Sequence, residues 1–166
     1  MLSKVLSKEA CAECKFCCSF RRQSLWETPL FPIETVRKLQ GGDKRFLNCG
    51  EGENRFGRMD LEDGYRTEAP EEEVPCSFLD AERGCMLSEE DKPFDCKIWP
   101  LRIMRKQEEL VIALTPTCPK MNRQSMDAMK ELVRNGLGDK IYAYAAEHPY
   151  IIKEYREGFP VLMKRE

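Results

Sequence analysis

Four cysteines crowd into eight positions in ACAECKFCCSF (residues 10–20), and the run ends on the adjacent pair Cys17 and Cys18. Packing a small protein asks for nothing of the kind, so the run constrains the fold through what it has to hold. Five more cysteines follow, at 49, 76, 85, 96 and 118, making nine in 166 residues. An odd count leaves one thiol over in any all-disulfide scheme within one chain. The cysteine share also falls below the roughly 8–10% of disulfide-built mini-proteins. The stretch before Cys11, MLSKVLSKEA, has scattered apolar residues rather than the continuous core of a signal peptide. The expected setting is therefore cytoplasmic, where clustered cysteines point to metal or catalysis before disulfides.

Charge and hydropathy narrow the partners. The net charge of −2 gives no electrostatic footprint for nucleic acid or an acidic membrane. No apolar run is long enough to span a bilayer.

Along the chain, TPLFPIETVRKLQGG (28–42) predicts a short helix. Pro32 suits a first turn, Ile33, Val36 and Leu39 recur at helical spacing, and Gly41 or Gly42 can stop it. RFLNCGEGENRFGRMDLEDGYRT (45–67) alternates apolar and polar residues between Gly and Asp turns, which predicts irregular strands or a hairpin. EAPEEEVP (68–75) reads as a solvated acidic loop. KIWPLRIMR and ELVIALT, separated by Lys106–Gln107–Glu108, predict a second hairpin whose far end leads to Cys118–Pro119. From Met121 the pattern is helical: Met126, Met129, Leu132 and Val133 share a stripe, glycines interrupt at 136–138, and a second helix covers about 139–147 up to His148–Pro149. The expected fold is a single α+β domain of small irregular sheets and hairpins, organised around cysteine-ligated metal. Its metal-binding module covers 10–120, and a helical C-terminal extension covers 121–166.

The metal expectation rests on spacing. A Cys-x2-Cys turn lets two thiolates face one ion while backbone N–H groups offset their charge. Cys11–Cys14 and Cys14–Cys17 both have it, and three thiolates so spaced suit a cubane iron–sulfur cluster. Adjacent side chains diverge, so Cys17 and Cys18 are expected to serve different metals unless one is spare. With Cys49 set aside as an ordinary small hydrophobe, eight candidates remain: Cys11, Cys14, Cys17, Cys18, Cys76, Cys85, Cys96 and Cys118. Eight thiolates make two four-cysteine sites. One partition joins Cys11, Cys14, Cys17 and Cys118, and separately Cys18, Cys76, Cys85 and Cys96. A single site with the other thiols uncommitted is the alternative.

CAECKFCC, then PCSFLDAERGCMLSEEDKPFDCKIWPL, then TCP together resemble the cysteine-cluster (CxxCxxCC) family of zinc- or iron-chelating domains. The resemblance covers roughly residues 10–120, with a long insertion between head and middle, and matches the same eight cysteines in order. It implies that these eight are metal ligands. Two positions differ from the family pattern: Lys15 stands where Gly commonly follows the second cysteine, and Lys92 where Arg usually precedes Pro93.

Four thiolates suit zinc or iron–sulfur alike. The triple spacing, the absence of His from the candidate ligands and the Pro after Cys118 favour one or two 4Fe–4S clusters, with Zn2+ as the alternative. Clusters filled entirely by cysteine would carry electrons to a protein partner or hold structure. An iron lacking a protein ligand would instead bind substrate, making an enzyme for group transfer. A storage or delivery protein, with labile metal, is a third reading.

Several other features carry a plainer meaning. His148 reads as a helix-end cap or surface residue, GEGENRFG (50–57) as a turn because Arg55 replaces the third Gly of a dinucleotide loop, and the methionines at 121, 126 and 129 as core. Lys15, Arg21 and Arg22 are either counter-charges for thiolates or a solvated basic turn. Phe94 and Trp99, flanking Cys96, are expected to shield a site from water.

Overall fold

The computed structural model describes residues 18–116, 118 and 123–165. They fall into two compact units, 18–97 and 98–165, and the division lies inside the stretch that the sequence reads as one cysteine module. The class is α+β, with small sheets and helices towards the C-terminus.

The unit 18–97 contains strands β1 (Ser19–Arg21), β2 (Leu30–Pro32), β3 (Phe46–Cys49) and β4 (Phe56–Met59) and helix α1 (Ile33–Leu39), which lies against β2 and β4. The predicted helix begins directly after Pro32, whose extended conformation places it at the N-cap, and ends before Gln40. The predicted hairpin is also present, since β3 and β4 pair antiparallel with Cys49 opposite Phe56. Strand β2 flanks β4 on its other side, giving the order β2-β4-β3. The GEGENRFG segment forms the connection, a short turn over Gly52–Asn54 with Gly50 at φ 73. Only glycine adopts that backbone without strain.

Gly57 is required for a different reason. A Cβ there would run into Val36, so the missing side chain lets α1 lie directly on β4. The core beneath joins Phe20, Phe31, Val36, Met59, Leu61, Tyr65, Val74 and Phe78. Phe31 meets Phe46 edge-on, with ring centroids 5.2 Å apart, the arrangement that ring quadrupoles favour.

The acidic loop is shorter than the sequence suggests. Glu73–Pro75 forms β5, antiparallel to β1 with Ser19 opposite Pro75 and Arg21 opposite Glu73. The buried Val74 anchors it against the core, which outweighs the solvation of its acidic neighbours. A two-residue ladder follows, β6 (Leu79–Asp80) with β7 (Gly84–Cys85). Helix α2 (Phe94–Ile98) then takes up Lys97 and Ile98, which the sequence reading placed in a strand.

The unit 98–165 is built on β8 (Leu101–Lys106) and β9 (Glu109–Leu114). They form the predicted hairpin, closed by a two-residue turn with Gln107 at φ 56, the left-handed backbone that such tight hairpins need. Leu101–Met104 and Val111–Leu114 are buried at consecutive positions, as expected of strands covered on both faces. Helices α3 (Met126–Leu132) and α4 (Gly138–Glu147) follow, separated by a wide turn over Val133–Leu137 in which Gly136 has φ 98. Met129 and Val133 are buried as the stripe predicts, but Met126 is 39% exposed. It occupies the first turn of its helix, where the stripe has not yet reached the core. Met121 lies outside the described residues.

The C-terminus departs from the helical extension expected over 121–166. After Ile151 the chain forms β10 (Lys153–Glu154), parallel to β8, and β11 (Val161–Lys164), antiparallel to β9. The sheet order is therefore β10-β8-β9-β11. Tyr142 of α4 ties the layers together by donating to the carbonyls of Leu110 and Met163. Among the described residues, no helix is long and apolar enough to cross a membrane.

Candidate metal centre

Of the eight candidate ligands, Cys18, Cys76, Cys85, Cys96 and Cys118 are described; Cys11, Cys14 and Cys17 lie outside the described residues, as does Lys15. Four of the five, all but Cys118, belong to the unit 18–97.

Cys18 immediately precedes β1 and Cys76 immediately follows β5. Because those strands pair with Ser19 opposite Pro75, the ladder continues into the cysteines, and the Cys76 N–H donates to the Cys18 carbonyl at 2.6 Å. The last cysteine of the head and the first of the middle group, far apart in sequence, are thus backbone neighbours. Tyr65 holds this corner from within, its hydroxyl donating to the Phe20 carbonyl at 2.8 Å. Burial, the largest influence on that phenol, pushes its pKa up, so it keeps the proton it donates. The Cys76 thiol lies 3.7 Å from the Met59 sulfur, and Met59 is itself buried in the core.

Cys85 comes next to this corner through local pairing. The Cys76 carbonyl accepts from Leu79 N–H at 3.0 Å, and Leu79 stands opposite Cys85 in the β6–β7 ladder. Cys96 sits on α2, its N–H donating to Pro93. The neighbouring Asp95, fully buried, accepts from Leu30 N–H at 2.9 Å and so pins α2 to β2. Cys85 and Cys96 are both exposed, whereas Cys18 and Cys76 are half-buried.

Lys92 is a charge near the last two. Burial pulls its pKa down, but the hydrogen bond to Glu89, that carboxylate's charge and the nearby Cys85 and Cys96 together raise it above the ordinary lysine value. Its ammonium therefore offsets any negative charge on those thiols. The sequence singled it out only as a lysine in an arginine position.

Cys118 is half-buried in the unit 98–165. Cys49 lies on β3 and directs its thiol at the Leu47 carbonyl, 3.7 Å away. Among the described residues, no three His, Cys, Asp or Glu side chains converge as a metal site.

The other features resolve as follows. Arg21 pairs with Glu73, and Arg22 reaches Glu62 and the Thr67 carbonyl while lying over the Tyr65 ring at 4.5 Å. Arg21 is engaged across the β1–β5 ladder, and Arg22 by residues of the 62–67 segment. Trp99 is stacked by the buried Arg102, whose guanidinium carbon is 4.4 Å from the ring centroid, and Phe94 is half-buried. His148 caps α4 and packs between the Tyr144 and Tyr150 rings, at 4.3 and 5.6 Å. No family model, curated protein or solved structure matches the chain.

Proposed function

We propose that this chain is a metal-binding protein of the cytoplasm, its cysteines holding one or two 4Fe–4S clusters, and that it serves as an electron-transfer or structural module for a protein partner. The proposed ligands of one site are Cys18, Cys76, Cys85 and Cys96; Cys11, Cys14, Cys17 and Cys118 are the remaining candidates. The observation that supports the first set is the hydrogen bond from Cys76 N–H to the Cys18 carbonyl, which makes those two cysteines backbone neighbours. The chemistry of the donor set supports the reading, though its four side chains do not converge in this structure: soft sulfurs at the ends of the short strands β1, β5 and β7 and on α2, with the Lys92 ammonium near Cys85 and Cys96. Iron–sulfur is favoured over zinc by the Cys-x2-Cys-x2-Cys head and the lack of a histidine in the set. When bound and fully ligated by cysteine, such a cluster supplies one-electron chemistry without an open coordination position. The chain's own part is to bind it, hold it at fixed depth and tune its charge.

The test is iron and acid-labile sulfide content of protein purified without oxygen, with its visible spectrum. Brown protein with iron and sulfide in matching amounts is expected, and the iron count distinguishes one cluster from two. Colourless protein containing zinc and no sulfide would overturn the redox reading and leave the cysteines as a structural staple.

A further inference from the structure

The corner that joins Cys18 to Cys76 has the geometry for a second chemistry. The hydrogen bond from Cys76 N–H to the Cys18 carbonyl spans 2.6 Å. A carbonyl oxygen lies about 2.4 Å from its own Cα and an amide nitrogen about 1.5 Å from its own, so the two Cα atoms are at most about 6.5 Å apart. Disulfides need Cα atoms roughly 4.4–6.8 Å apart. The approach is fixed by the ladder behind it, through Phe20 opposite Val74 and Arg21 opposite Glu73, and by the Tyr65 hydroxyl on Phe20. The backbone separation that a disulfide needs is therefore already in place between the two residues. Both residues are half-buried, and the Met59 sulfur beneath Cys76 leaves that thiol a polarizable, apolar floor.

We propose that Cys18 and Cys76 form a reversible thiol–disulfide couple, so that the corner senses hydroperoxides. One thiolate attacks a peroxide oxygen and breaks the O–O bond, giving a sulfenic acid and water or an alcohol. The second thiolate then attacks that sulfur, forms the S–S bond and expels hydroxide, which leaves as water after taking up a proton. Two thiols lose two electrons and two protons, and the peroxide accepts them. A dithiol reductant reverses the change. The sulfurs of a disulfide are no longer thiolate donors, so oxidation withdraws two ligands from the proposed site and releases its metal. That last consequence rests on the metal reading above; the disulfide itself does not.

The experiment is disulfide mapping by mass spectrometry on the full chain after hydrogen peroxide treatment, with metal content followed in the same samples. Tandem spectra and a Cys17→Ser variant separate Cys17 from Cys18. The predominant linkage is expected between Cys18 and Cys76, lost in Cys76→Ser, kept in Cys49→Ser, reversed by dithiothreitol and formed in step with metal release. Predominant linkage of either residue to another cysteine would overturn the couple, as would both thiols staying alkylatable while others oxidise. The linkage appearing in protein that never held metal would uphold the couple and overturn the metal reading. Metal present with no linkage after oxidation would do the reverse.

Discussion

Glu72 makes, through its side chain, three of the hydrogen bonds that close a turn. Its carboxylate accepts from the N–H of Arg66 at 2.7 Å and from both the N–H and the hydroxyl of Thr67 at 2.8 Å. The Arg66 N–H, followed by the Thr67 hydroxyl, lowers its pKa below the ordinary carboxylate value. A depressed carboxylate contributes stability that is present above its unfolded-state pKa and lost as pH falls through the folded one. Acid should therefore loosen the 65–72 loop, and Glu72→Gln should flatten the acid side of the stability profile. Melting temperature measured from neutral pH downwards checks this: the variant should melt lower near neutrality and converge on the parent in acid. Equal displacement at every pH would mean that the carboxylate's charge is not what holds the turn. Nothing in the EAPEEEVP string marks this glutamate off from Glu71 and Glu73, because its role depends on residues several positions upstream coming within reach. Lys92 was obscured in the same way, since its meaning comes from Cys85 and Cys96 on other elements.

Local elements were legible where periodicity and turn chemistry agreed. Pro32 opening α1 and the glycine-rich link between β3 and β4 follow from the chain's own preferences, whereas the tight turn of the β8–β9 hairpin puts Gln107 in a left-handed backbone that glutamine does not favour. The short pieces β5, β6, β7, β10 and β11 were not, because strands of two to four residues exist only through their partners. Gly57 belongs with them. Its place in GEGENRFG suggested a turn, whereas its contribution is the close approach of Val36 from α1. Gly57→Ala should thus overpack the α1–β4 contact and destabilise the unit by about 1–3 kcal/mol. Val36→Ala in the same chain should recover part of that loss, since two residues in contact are not additive. Urea midpoints of the two single variants and the double variant measure the coupling. Additive costs would place the strain elsewhere.

The two compact units differ in what holds them. Residues 98–165 carry a four-stranded sheet with consecutive buried residues on β8 and β9, closed by Ile141, Tyr142, Ala145 and Leu162. That core also buries Arg102, which stacks on Trp99, and Cys118 is the described cysteine of the unit. Residues 18–97 have a core of their own, but β1, β5, β6 and β7 are two or three residues long; Cys18 precedes β1, Cys76 follows β5 and Cys85 ends β7, while Cys96 lies on α2. Strands so short contribute few ladder bonds and little buried surface, so cross-links between their ends add stability out of proportion to their size. The eight-cysteine pattern is legible because spacing is a local property of the sequence. That Cys18 and Cys76 become backbone neighbours was not, since it depends on which strand ends the β1–β5 ladder brings together. If metal is the cross-link, its removal should act unequally. Hydrogen exchange on the full chain, before and after a strong chelator under reducing conditions, should show protection lost at the amides of Phe20, Val74, Cys76 and Cys85. The amides of Ile103, Met104, Val111 and Ile112 should keep theirs. Loss of protection at both sets together would mean that metal supports the chain as one cooperative whole. No loss at either would leave the strand ends standing on hydrogen bonds and the Phe20–Val74–Phe78 core alone.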